Sequence, residues 1–256
     1  MKQLTAFVKK EFTEVCRNNR LLVCVILFVL FGIMNPATAK ITPWLMKTMS
    51  SDLATTGIVI ADVKVDALSS WEQFFKNTPI AIVIFALMFC GIVAAELQKG
   101  TLINMVTKGM PRWKIIVSKT IMMLALWTGV YYLSYGITYF YSEYFWDNSI
   151  ASHLGFSSLG MYLLGIWLIS LIVLMSSFAQ NMSGVALGVA GGYFVCYLLN
   201  MIPDASKYLP TGLAGFSGIP MGKAVPGDFT YTIIITAVWS LINIVAGIKV
   251  FDKKNL

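Results

Sequence analysis

The chain has 256 residues, of which 57% are hydrophobic and 12% charged, with a mean hydropathy of +0.75 and a formal charge of +7. A soluble domain carries about a quarter charged residues, so this composition excludes an ordinary soluble protein and places the chain in lipid. The surplus of Lys and Arg then serves to orient membrane spans and does not point to nucleic acid.

At about 20 residues per span the chain holds six spans with their loops, in a single transmembrane domain over residues 1–256. In the first 20 residues Leu4, Phe7, Val8, Phe12 and Val15 recur at three- and four-residue steps, with Lys9, Lys10, Thr13 and Arg17 opposite them. That spacing predicts an amphipathic helix at the membrane surface. Glu11 falls within its apolar arc and therefore needs a cationic partner or a turn toward the headgroups. The first span starts at Leu21, reaches Asn35-Pro36 after 14 residues and continues, kinked, toward Ile41. A basic start, the apolar run from Leu21 to Met34 and Ala37-Thr38-Ala39 imitate a secretory signal, but Glu11, Glu14 and the helical periodicity argue against one.

Residues 42–78 contain Pro43, Asp52, Asp62, Asp66 and Glu72 and read as an external loop with short helices, with Trp44 and Trp71 near the interface. A second span follows from about Pro79 to Ala95 and ends at Glu96. In the cytoplasmic segment 97–118, Thr101 is positioned to cap a short helix that Lys108-Gly109 ends, and Pro111 sits where the next helix starts. The remaining spans are expected at about Thr120–Tyr141, Leu159–Ala179, Val185–Ile202 and Phe229–Ile248, with a second external loop, rich in Pro and Gly, over 203–228.

Charge fixes the expected orientation. Five Lys and Arg precede Leu21, five lie between Glu96 and Lys119, and three follow Ile248, so one side holds thirteen of the nineteen and nets +9 against −2 on the other. Both termini are therefore expected to be cytoplasmic. Cys16, Cys24, Cys90 and Cys196 form neither a disulfide framework nor a zinc pattern.

Between these span limits there is no Asp, Glu, Lys, Arg or His apart from Lys40, at the external end of the first span. Ion-driven transporters keep charged groups near the midplane, so energy coupling is not expected within this chain. Asn243 and the hydroxyls of Thr128, Ser134, Ser170, Ser176 and Ser177 are read as helix-packing groups. The serine motif Gly215-Phe-Ser217-Gly218 imitates an intramembrane protease, but the single histidine, His153, lies upstream in a loop. The stretch from Ser217 to Ala224 lacks the first glycine and the final hydroxyl of a phosphate loop. Gly184, Gly188 and Gly192 recur every fourth residue beside Gly191 and let a helix approach closely, within one chain or between two.

A further pattern combines these features. Lys9-Lys10-Glu11-Phe12 stands in the basic helix before the first span, Glu96 ends the second with Gly100-Thr101-Leu102 after it, and Pro111-Arg112 and Ser118-Lys119 precede the third. With six spans and both termini inside, this layout resembles the permease family of type-two ABC exporters over nearly the whole chain. The resemblance implies an all-α integral membrane fold of six transmembrane helices, with an N-terminal interfacial helix carrying Glu11, Phe12 and Arg17 and a short cytoplasmic coupling helix after the second span. It implies that Gly100 to Lys108 seats in a separate ATP-binding subunit, with Glu96, Gly100, Thr101, Leu102, Met105, Lys108 and Arg112 carrying the coupling. Glu11 is expected to pair with Lys99, Arg112 or Lys114. ATP and Mg belong to the partner, and this chain is expected to be no enzyme and to bind no cofactor or metal. A second permease copy or homologue completes the path in the plasma membrane of a bacterium. Apolar walls rich in Met and aromatics suit a hydrophobic or amphipathic cargo, a peptide toxin or antimicrobial first and a drug or lipid next. A passive channel or structural scaffold is the alternative that the uncharged spans equally allow.

Overall fold

A computed structural model describes residues 2–53, 65–107, 109–202 and 204–254. Among these residues six helices are long and apolar enough to cross a membrane. The N-terminal α1 (Lys2–Arg17) leads through a tight turn, where Asn19 takes a left-handed conformation at φ 55, into α2 (Arg20–Leu53). Asn is one of the few L residues that accept that conformation readily. The second span is α3 (Ala67–Phe89) continued by the short α4 (Ala94–Gln98), and α5 (Thr101–Thr107) lies in the connection that follows. The later spans are α6 (Arg112–Phe145), α7 (Leu154–Phe178), α8 (Met182–Leu199) and α9 (Thr230–Asp252).

The segment read as an external loop with short helices over 42–78 belongs, where it is described, largely to two long helices. α2 runs unbroken to Leu53, and α3 begins at Ala67, where the Asp66 carboxylate accepts a hydrogen bond from the Ser69 N–H at 3.1 Å. The polar residues do not end these helices because they lie on turned-out faces, as the exposed 2.8 Å pair of Glu72 with Lys76 four residues on illustrates. Residues 54–64, Asp62 among them, lie outside the described residues. Trp44 is exposed, in keeping with an interfacial place, whereas Trp71 is fully buried. Its indole N–H donates to Asn148 Oδ1 at 2.9 Å and its ring packs on Phe74 and Tyr135.

Pro36 sits inside α2 and cannot donate to the Gly32 carbonyl one turn earlier. The Thr138 hydroxyl from α6 donates to that carbonyl instead, at 3.1 Å, and itself accepts from the Asn35 amide at 3.0 Å. Close approach makes this possible, since a side chain at Gly32 would meet Ile137 and the Ser134 carbonyl near 3 Å. Neighbouring polar groups thus allow a membrane helix to carry an internal proline.

The buried centre is α3, α6 and α7; α2 packs on α3 and α6, α9 on α7 and α6, and α8 on α7. Trp127 lies in the middle of this core, with ring centroids of Phe28, Phe85 and Tyr131 at 5.8, 5.4 and 5.2 Å. At one end of the bundle, 3-10 turns at Ala205–Tyr208, Pro210–Gly218 and Pro226–Phe229 cover α7 and α9, and Phe216 packs between Phe156 and Phe229. At the other end Arg112 donates to the backbone carbonyls of Asp252 and Lys254, and Lys114 donates to Gln3 at 2.8 Å. Lys254 donates to the carbonyls of Ser177 and Ala179 at 3.1 and 3.0 Å, satisfying acceptors left free at the end of α7. The N-terminus, the connection between the second and third spans, and the C-terminus therefore meet at one end.

Candidate functional site

α1 turns Phe7, Glu11 and Val15 inward at four-residue steps against α6. The apolar face predicted to lie on lipid is thus partly covered by the protein itself, and Glu11 is carried inside with it at 2% exposure. A buried carboxylate is tolerated when paired and hydrogen-bonded. Its partner is Lys119, 1% exposed, whose ammonium donates to Glu11 Oε2 at 2.8 Å. The three bases expected for this role lie elsewhere: Arg112 and Lys114 hold the C-terminus and Gln3, and Lys99 is exposed.

Glu96 joins α4 to the same cluster. Lys10 donates to Glu96 Oε1 at 2.8 Å, and Lys119 Nζ stands 2.9 Å from Glu96 Oε2, where the attraction is of charge without hydrogen-bond geometry. Lys10 also reaches Glu11 at 3.1 Å and Glu14 at 2.8 Å. The oxygens of Glu11, Glu14 and Glu96 lie within 4.8 Å of one another, spacing that calls for a cation, and the two ammonium groups supply it. Burial works to lower the Lys10 pKa, but hydrogen bonds to Glu14 and Glu96 and the charges of Glu11 and Glu96 outweigh it and raise the value. Burial likewise pushes the Glu14 carboxyl up, while the Lys10 hydrogen bond and the charges of Lys10, Lys119 and Arg20 bring it below its ordinary 4.5.

The cluster holds the start of a compact turn. Gly100 at φ +65 and Gly109 at φ +84 bracket α5 in a conformation that glycine adopts without a Cβ clash. Thr101 is the first residue of α5 and not its cap as expected: its hydroxyl donates back to the Glu96 carbonyl at 3.2 Å instead of accepting from a backbone N–H. Leu102 is fully buried and Met105 partly so, whereas Thr101, Ile103, Asn104 and Thr107 face outward. Pro111 caps α6 and Arg112 opens it. Lys108 lies outside the described residues. Of the remaining predicted residues, Phe12 is half-buried on α1 and Arg17 is exposed at its end.

Comparison with known proteins then decides the family. The sequence pattern of the ABC-2 family transporter proteins matches residues 5–256. The chain belongs to the ABC-2 family. It is also similar to the uncharacterized transmembrane protein YxlG of Bacillus subtilis (strain 168), 25% identical over 217 residues that cover 82% of this chain and 81% of that one. An ABC-2 protein of this kind is a multi-pass membrane subunit of an ABC transporter, and the family implies an ATP-binding partner.

Within this ABC-2 subunit the glycine stripe of α8 faces inward. A side chain at Gly188 would press on Met175 of α7 and one at Gly192 would touch Leu171, while Gly184 donates its N–H to the capping Asn181 at 2.7 Å. Gly191 points into open space on an apolar groove of about 520 Å³ between α3, α7 and α8, lined among others by Val83, Leu87, Leu187 and Phe194. The polar span residues mostly tie helices together: Asn243 donates to Ser170, Ser177 to the Gly247 carbonyl, and Thr128 hydrogen-bonds Tyr162. Ser217 donates to the Ala214 carbonyl, and among the described residues no hydrogen bond joins it to His153.

Proposed function

We propose that this ABC-2 chain is the membrane subunit of an ATP-driven exporter, with α5 as the helix that seats in a separate ATPase. Both termini and α5 face the cytoplasm, in line with the positive charge gathered at that end. One observation carries the reading: a short helix, preceded by Glu96 with its ion pairs to Lys10 of α1 and Lys119 of α6, presents Ile103 outward at 46% exposure. An apolar residue held on an exposed, rigidly anchored turn suits a protein partner. ATP and Mg bind the partner, whose closure moves α5 and, through Glu96, Lys119 and Lys10, moves α1 and α6 with it. Two such permeases, identical or related, form the path. The apolar groove at α3 and α8 lines it and suits a hydrophobic or amphipathic cargo, a peptide toxin or antimicrobial ahead of a drug or lipid.

The test is Ile103→Asp together with deletion of Thr101–Lys108. Both changes should abolish co-purification of the ATPase while membrane insertion persists. An intact complex in both variants, or cargo flux in vesicles that contain no ATPase, overturns the proposal and favours a passive channel.

A further inference from the structure

The polar side of α1 forms one wall of an open cleft of about 720 Å³ lined by Ala6, Lys9, Lys10, Thr13, Glu14, Arg17, Asn18 and Lys99. It adjoins a smaller cleft of about 330 Å³ over the ion-pair cluster, with which it shares Lys10, Glu14, Asn18 and Lys99. Together they gather Lys9, Lys10, Arg17, Arg20, Lys99 and Lys119 against only Glu11, Glu14 and Glu96. The carboxylates are spoken for: Glu11 and Glu96 are held by both Lys10 and Lys119, and Glu14 by Lys10. Lys9, Arg17 and Lys99 are exposed and form no ion pair among the described residues.

Three like charges facing one cleft repel one another, and an anion that enters relieves the repulsion. The depth of the cleft says which anion. α1 ends at Arg17, four residues before the apolar run that begins at Leu21, and it packs on the beginning of α6, where Trp113 is exposed as Trp is at a membrane–water interface. The cleft therefore stands at headgroup level, where the phosphates of anionic lipids are the concentrated anions. We infer that Lys9, Arg17 and Lys99 form a binding site for the phosphate of an anionic lipid headgroup. The site spans α1 and the turn before α5, so a bound headgroup bridges the same two elements that the ion pairs join. This inference requires that α1 lie at headgroup depth and does not depend on the ATPase reading.

The experiment is native mass spectrometry of the full-length protein titrated with phosphatidylglycerol or phosphatidylcholine. Phosphatidylglycerol should show one tight adduct that phosphatidylcholine does not. K9Q/K99Q should weaken that adduct on the order of tenfold or more, the weight of two juxtamembrane cations, whereas K9R/K99R retains it. K249Q/K253Q removes the same charge near the C-terminus and should leave it within about twofold. Equal affinity for the two lipids, or equal loss in both glutamine variants, overturns the site. Displacement of the tight adduct by millimolar inorganic phosphate assigns the cleft to a soluble phosphate and overturns the lipid. Phosphatidylglycerol binding that K9Q/K99Q leaves unchanged also overturns it; if ATPase co-purification falls in that variant, the cleft faces protein.

Discussion

Lys119 sits on the core-facing side of α6, one turn after Ile115 and one before Met122 and Met123, all of them buried. Its charge is tolerable there only because Glu11 and Glu96 meet it. Lys119→Met leaves two carboxylates with Lys10 alone, and removing one partner of a buried pair costs about 3–5 kcal/mol. Glu11→Gln in the same background should recover part of that loss, so a double-mutant cycle by denaturation in detergent should show a coupling of about 1–3 kcal/mol. Additive losses would place the two residues in separate environments. Gly165 is a second position where one residue decides the packing. A side chain there would stand 2.2 Å from the Trp127 ring, so Gly165→Ala should lower stability by about 1–3 kcal/mol or more. Gly191→Ala, on the open groove, should be neutral or slightly stabilising, since alanine is the better helix former. Thermal unfolding of the two variants checks the contrast.

Among the elements, α1 depends most on titratable groups for its place. Glu14 has its carboxyl below 4.5, so its contribution is full above that pH and is lost on acidification. Lys10 is raised above 10.5, so its contribution is full below that pH and is lost in strong alkali. The Lys10–Glu14 pair within α1 should therefore persist from about pH 5 to 10. A spin label on the exposed Cys16 should gain mobility below about pH 4.5, and Lys10→Met should bring the same gain at neutral pH. Constant mobility across acid pH would mean that the Lys10–Glu14 pair adds nothing to a position already set by Phe7, Val15 and the Glu11–Lys119 pair. Periodicity in the sequence made α1 and the need of Glu11 for a cation legible, and the boundary residues Thr101, Gly109 and Pro111 did the same for the short helix after Glu96. It did not reveal Lys119 as the partner, because that residue lies inside a basic flank that the orientation rule already accounts for. Its spacing from Ile115 and Met122 was the available signal. The lengths of α2 and α3 were hidden for a related reason: hydropathy averages over all faces, so Glu72 and Lys76 on an outer face looked like a loop.

At the scale of the whole molecule, the three basic segments counted in the sequence meet at one end of the bundle through Arg112, Lys114 and Lys254. Sidedness then reduces to the location of that end. Cys16 is exposed there, whereas Cys24, Cys90 and Cys196 are buried, so the natural protein carries its own reporter. Asp147 follows α6 and so lies one span away from Lys119, at the opposite end. A membrane-impermeant maleimide should label Cys16 in inside-out vesicles and leave it unlabelled in right-side-out ones. In a Cys16→Ser background, Asp147→Cys should show the reverse. Labelling of Cys16 from outside would invert the bundle, carry α5 to a side without ATP, and remove the basis for coupling. Labelling of both sites from one side would instead break the six-span count, because an odd number of crossings must separate them.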